Sequence, residues 1–170
     1  GTGTLVDSAR FMRIIGNKYN LDPKNVFGHI LGEHGKASFA AWSSSNICGY
    51  DFKTFANIKN LDFDLDKEEI EKRVRKIGFD IWKKKGYTNH GIAAGVARIV
   101  KAISLDEKSI LPVSVLLKGE YGLNNVALSV PCIVGEKGIE EILEFPLSEE
   151  EMVKLRLSAE SLREILDSIS

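Results

Sequence analysis

Three side chains in this sequence could share acid–base and ionic work: His34, Asp7 and Arg10. His34 sits in Gly32-Glu33-His34-Gly35, where the glycines leave its surroundings open for close approach by another group. An imidazole titrates near neutral pH, so it can take or give a proton in a reaction. Asp7 and Arg10 lie three residues apart in Val6-Asp7-Ser8-Ala9-Arg10, which on a helix makes them neighbours on one face. Two readings fit that pair. One is a surface ion pair, worth little and favoured by periodicity alone. The other is a carboxylate that orients a histidine, beside a guanidinium that grips a substrate carboxylate through two hydrogen bonds.

Other chemistry-bearing residues read more plainly. Gly1 and Gly3 open the chain, but a dinucleotide fingerprint needs a preceding strand and a further glycine where Val6 stands. His29, Glu33 and His34 lack metal-ligand spacing: the histidines are five apart in a strand-like context, where they point to opposite faces. No metal site is expected. Lys83-Lys84-Lys85 reads as the cationic end of a helix. Cys48 and Cys132 have no CxxC spacing and read as buried structural thiols.

The elements that must position these groups follow from hydrophobic spacing. Leu5, Ala9, Met12 and Ile15 predict a helix ending between Gly16 and Asn20, followed by a turn at Asp22-Pro23. Val26 to Leu31 reads as one buried strand, and Phe39 to Cys48 as a second β-prone stretch. Ile70, Val74, Ile77 and Ile81 mark the stripe of a charged helix. Ile92, Val96, Ile99, Val100 and Ile103 mark another, apolar on several faces and so expected to be buried. Ser109 to Lys118 and Asn125 to Val134 read as strands joined by a turn at 118–122. Ser148 and Glu151 form a capping box before a closing helix with its seam at Met152, Leu155, Ala159, Leu162, Leu166 and Ile169. Helices and strands mix without regular βαβ alternation, which predicts an α+β fold.

Composition narrows the function classes. The chain has 170 residues, 23 Lys plus Arg against 24 Asp plus Glu, and a net charge of −1. The length suits one domain of roughly 100–200 residues. Near-neutral charge disfavours nucleic-acid binding through bulk charge. No uncharged apolar run of about 18 residues is present to span a membrane, and no signal peptide is visible. Two cysteines suit a reduced, cytoplasmic setting. The opening Gly1-Thr2-Gly3-Thr4 reads like a loop within a longer polypeptide.

The motifs taken in order resemble the C-terminal half of NAD-dependent L-2-hydroxyacid dehydrogenases of the lactate/malate type. The matching segments are Gly3 to Phe11, Leu31-Gly32-Glu33-His34-Gly35, Trp42-Ser43, Lys85-Gly86-Tyr87-Thr88 with Gly91-Ile92-Ala93, and Leu111 to Val115 through Gly119-Glu120-Tyr121-Gly122 to Val130-Pro131. Gly-Glu-His-Gly with the later Trp-Ser is closer to the lactate branch than to the malate branch. Phe39-Ala40-Ala41-Trp42-Ser43 is also similar to the 2-hydroxyisocaproate branch. The resemblance implies that His34 exchanges the proton of the C2 hydroxyl and that Asp7 fixes its tautomer. Arg10 would anchor the substrate carboxylate, Thr88 would lie near the substrate side chain, and Ile92 would pack against the nicotinamide of NAD. It implies interconversion of (S)-lactate and pyruvate, a cytoplasmic homotetramer, and residues 1–170 as the substrate-binding half. The alternatives are an L-2-hydroxyisocaproate or malate dehydrogenase domain, or a non-catalytic oligomerisation module.

Departures from the family pattern carry information too. Lys36 and Ala37 follow Gly35 where relatives carry Asp, Asn or Ser and then Ser. A cation brought close to His34 would disfavour the imidazolium, whereas one turned to solvent would not. The Rossmann half with its phosphate loop, and the mobile loop with its catalytic arginine, are not in this sequence. This stretch alone is therefore expected to fold without binding NAD tightly or oxidising lactate. In fructose 1,6-bisphosphate-activated relatives, an arginine two residues after the anchoring arginine and a histidine seven before the catalytic one hold the effector. Here those positions are Met12 and Phe27, neither of which can carry a charge to a phosphate. The full-length enzyme is expected to ignore the bisphosphate. Steady-state kinetics with pyruvate should give the same KM with and without effector, and a several-fold fall in KM would refute this.

Overall fold

The computed structural model describes residues 1–169. At its centre lies an antiparallel sheet of β5 (Ser109–Lys118), β6 (Asn124–Gly135) and β7 (Gly138–Ile142), in that order. Val113 faces Val130 and Leu111 faces Cys132 across the β5–β6 ladder. Strand period sets which β6 side chains go inward: Val126, Leu128, Val130, Cys132 and Val134 are all buried. They share one core with Leu31, Phe39, and Leu155 and Ala159 of the closing helix α5 (Glu149–Ile169). The turn between β5 and β6 needs left-handed backbone at Tyr121 (φ 54°) as well as at Gly119 and Gly122. The Tyr121 hydroxyl compensates by donating to the Leu143 carbonyl at 3.0 Å.

A second core forms around α1 (Leu5–Tyr19). Phe11, Ile15 and Tyr19 recur every four residues and present one buried face, as a helix of about 3.6 residues per turn requires. They share this core with Ile70 and Val74 of α3 (Lys67–Lys85), with Trp42, and with Phe52 of the short α2 (Phe52–Ile58). Asn20 closes α1 in left-handed geometry at φ 55°. Asp66 caps α3 through Glu69 N–H, and Gly86 ends it at φ 78° after the three lysines. The capping box before α5 is formed: Ser148 Oγ accepts from Glu151 N–H, and a Glu151 carboxylate oxygen accepts from Ser148 N–H.

The structure departs from the sequence reading in four places. Val26 to Leu31 is not one strand. β1 (Val26–Phe27) pairs with β4 (Asn46–Ile47), while β2 (Ile30–Leu31) pairs with β3 (Phe39–Ala40). The break falls at Gly28, where a Cβ would lie 2.4 Å from the Phe11 ring. Cys48 is not buried but exposed, in left-handed backbone at φ 50°. Cys132 is buried, and burial pushes its thiol up to about 11. Helix α4 (Asn89–Ser104) is not enclosed either: Ile92, Val96 and Val100 are 43%, 46% and 53% exposed. Only its Ala102, Ile99 and Ile103 side meets the sheet core, because one helix face is all that a single sheet layer can cover. Helix α2 and strand β7 had no reading in the sequence. Among the described residues, no helix is long and apolar enough to cross a membrane.

One buried group makes the fold sensitive to acid. His29 lies against the rings of Phe27 and Phe145, and its Nδ1 has no hydrogen-bond partner among the described residues. Burial lowers its pKa from 6.5 to about 4. The unfolded chain therefore takes up this proton below pH 6.5, while the folded chain does so only near pH 4. Stability is present above pH 6.5 and is lost as pH falls toward 4, by roughly 3 kcal/mol in full. His29→Leu should keep the urea midpoint at neutral pH and flatten its fall in acid. Equal acid slopes in the two proteins would refute the assignment.

Candidate active site

Helix α1 delivers Asp7 and Arg10 from adjacent turns. Asp7 is buried, and each of its carboxylate oxygens has a cationic or N–H partner. Oδ1 accepts from Arg10 Nη1 at 2.7 Å, and Oδ2 lies 2.6 Å from His34 Nδ1. The start of α1 is tied to the His34 segment by side chains of its own first turn. Thr4 Oγ1 donates to the Ile30 carbonyl, and Ser8 Oγ accepts from Ile30 N–H. Asp7 is therefore fixed relative to the strand that leads into His34.

The loop carrying His34 is pinned on the far side as well. Gly32 exchanges backbone hydrogen bonds with Ser129 of β6 at 3.0 and 2.9 Å, and Glu33 N–H donates to Ser158 Oγ of α5 at 2.7 Å. Gly32 has φ 90°, and a Cβ there would lie 2.6 Å from Ser158 Oγ, so the close approach needs glycine twice over. Glu33 Oε1 then accepts from Ala37 N–H and closes the turn around His34. Because a carboxylate can only accept, Nδ1 of His34 carries the proton, and in the neutral ring Nε2 keeps its lone pair. The Asp7 hydrogen bond raises the His34 pKa above 6.5, against the lowering effects of burial and Arg10. Glu33 adds to the rise. Lys36 is not among the charges that act on the ring, so the imidazolium is favoured and not suppressed.

Asp7, Arg10 and His34 open into a cleft of about 1000 Å³. Thr88 and Ile92, singled out from the sequence, line the same cleft at the start of α4. The Thr88 hydroxyl makes no hydrogen bond among the described residues, and Ile92 presents an apolar surface. The opposite wall comes from α3. Gly78 leaves room for the Arg10 guanidinium, which would lie 3.4 Å from a Cβ at that position. Phe79 and Trp82 stack at 5.7 Å beside it. Sequence reading missed Gly78, Phe79, Trp82, Lys72 and Lys76 of this wall, and read Lys85 only as a helix end and part of a motif. Their signal was Lys72, Arg75, Lys76 and Phe79 at helical spacing, on a side of α3 other than the Ile70–Val74 stripe. His29 stays apart from His34, buried against Phe27 and Phe145. Met12 packs on the α1 core, and Phe27 meets His29 edge to face and lies tilted against Phe145.

An oriented imidazole can exchange a proton with a bound molecule, and a guanidinium with only one nitrogen committed to Asp7 can hold a carboxylate beside it. The chain belongs to the lactate/malate dehydrogenase family and matches its alpha/beta C-terminal domain over residues 4–170. It is 52% identical to L-lactate dehydrogenase 2 of Clostridium acetobutylicum, over all of this chain and 53% of that protein. It is 45% identical to the L-lactate dehydrogenase of Thermoanaerobacter sp. strain X514, over 99% of this chain and 55% of that one. The ligand-bound minor L-lactate dehydrogenase of Enterococcus mundtii superposes with a TM-score of 0.92 at 35% identity, covering all of this chain and 54% of that one. The chain thus spans about half the length of the curated relatives it matches.

Asp7→Asn tests the electrostatics of the pair. It removes the carboxylate that raises the His34 pKa, so the ring should titrate at lower pH. The imidazole resonances followed by NMR against pH give the midpoint directly. An unchanged midpoint would show that Asp7 does not govern the ring.

Proposed function

We propose that this chain is the substrate-binding and catalytic half of an NAD-dependent L-lactate dehydrogenase that interconverts (S)-lactate and pyruvate. The carrying observation is the sharing of one buried carboxylate, Asp7, between His34 Nδ1 and Arg10 Nη1 at the floor of the cleft. Family membership and the names of the relatives support the reading.

Each residue then has a task set by its chemistry. Arg10 has one nitrogen committed to Asp7 and keeps the rest of its planar fork for the carboxylate of the 2-hydroxy acid. His34 Nε2 takes the proton of the C2 hydroxyl in oxidation and returns it to the carbonyl oxygen in reduction. Asp7 holds the ring in the required tautomer and stabilises the imidazolium that proton uptake creates. Thr88 borders the substrate side chain. NAD, when bound, would take up the C2 hydride in oxidation and, in its reduced form, supply it in reduction. Ile92, with Gly91 beside it, offers the apolar surface that suits one face of a nicotinamide ring and keeps water from the hydride path. The phosphates of the dinucleotide would be held outside this chain. The enzyme works in the cytoplasm as a homotetramer, and Met12 and Phe27 leave it without fructose 1,6-bisphosphate activation.

The raised His34 pKa sets the sign of the pH dependence. Pyruvate reduction needs the imidazolium and falls as pH rises through that pKa, while lactate oxidation needs the neutral ring and falls below it. In the full-length enzyme, His34→Asn should cost roughly 10²–10⁴-fold in rate. Arg10→Lys should chiefly raise KM, since a point charge cannot replace the planar fork. Near-normal turnover of His34→Asn would overturn the assignment.

A further inference from the structure

The cleft is strongly one-sided in charge. Its lining includes Arg10, Lys36, Lys72, Arg75, Lys76 and Lys85, against Asp7 as its one carboxylate, and both oxygens of Asp7 are already engaged. A chain whose overall charge is −1 has therefore concentrated cations on one concave surface. Local structure accounts for only some of them. Arg75 donates to the Ser38 carbonyl at 2.8 Å and pairs with buried Glu71, so it ties the His34 loop to α3. Lys85 lies over the Tyr87 ring, and Arg10 serves Asp7.

Three cations remain. Lys36 and Lys76 make no ion pair or hydrogen bond among the described residues, and Lys72 has only a 4.0 Å contact with exposed Glu69. Lys72 and Lys76 are one helical turn apart on α3, so they emerge together. Lys36 comes from the loop that Arg75 fastens to the same helix, two residues beyond His34. Structure alone gives no reason to set three exposed ammonium groups along one cleft, since like charges on one surface repel.

We propose that Lys36, Lys72 and Lys76 form an anion-capture surface that draws the carboxylate substrate into the cleft before Arg10 takes it. The inference rests on the reading of the substrate as a 2-oxo or 2-hydroxy acid, whose carboxylate is ionised at neutral pH. A concave surface of one sign focuses the field and raises the local concentration of the opposite ion. Such an effect acts on substrate capture and not on the chemical step, so it belongs to KM. It is also screened, because the Debye length falls from about 30 Å at 0.01 M salt to about 3 Å at 1 M. Arg10, which touches the substrate directly, is much less screened.

The test is steady-state pyruvate reduction by the full-length enzyme across that salt range. With Lys36, Lys72 and Lys76 all changed to Gln, kcat/KM should be roughly 3–10-fold below wild type at low salt. The loss should lie in KM, with kcat retained, and should disappear at high salt. Arginine at all three positions should restore the wild-type salt slope. Gln at Lys24, Lys53 and Lys118, which lie outside the cleft lining, should leave that slope unchanged. A triple Gln variant with the wild-type slope, or with its loss in kcat, overturns the capture surface alone. No wild-type turnover of any 2-oxo acid overturns the functional reading and the capture surface with it.

Discussion

A buried carboxylate with two cationic neighbours is the constraint around which this domain is arranged. Asp7 is only 4% exposed, and a charge at such a place is costly unless every oxygen is satisfied. Arg10 satisfies one oxygen from the next turn of the same helix, which the local geometry provides without tertiary structure. The other oxygen needs His34, which lies 27 residues away and on a different element. Removing either partner leaves a carboxylate half-satisfied in the interior, so the interaction that orients the imidazole also penalises its loss. The surface-pair reading of Asp7 and Arg10 fails on burial: a pair at the floor of a cleft is not screened as one in open water would be.

Holding His34 in place takes both cores. Thr4 and Ser8 fasten the strand before His34 to the first turn of α1, which belongs to the helical core. Ser129 and Ser158 fasten Gly32 and Glu33 to the sheet and the closing helix. Arg75 fastens the end of the loop to α3. The ring can therefore be more than half exposed to the cleft while its backbone is held from three directions. That combination suits a group that must meet a ligand without searching for its own position.

Much of this was legible where local rules decide. Helix α1 and its end at Asn20, the strands β5 and β6, and the Ser148–Glu151 box all follow from spacing, turn residues and capping within a few positions. The Gly28 break was not legible, because it depends on which strands pair with Val26 and with Ile30, and on the Phe11 ring across the gap. The exposed stripe of α4 was misread because apolar periodicity reports a face that avoids water, not whether this chain contains the surface that covers it. At the site, Gly-Glu-His-Gly and Asp-x-x-Arg could be found as motifs. The facing wall left only a helical row of cations with Phe79, whose purpose depends on α3 crossing opposite Arg10.

The pinning of Gly32 and Glu33 also has a bearing on when the site can exist. Ser129 and Ser158 lie 97 and 125–126 positions further along the chain, so the His34 loop waits on residues made long after it. The β5–β6 hairpin can close from neighbouring residues and is the economical place for structure to begin, whereas pairings this distant in sequence close slowly. The ties of Thr4 and Ser8 to Ile30 span only 22–26 positions, whereas the ties to β6 and α5 need residues synthesised much later. A chain shortened before α5 would hold every residue of the acid–base pair and still lack the Ser158 hydroxyl that pins Glu33 beside it.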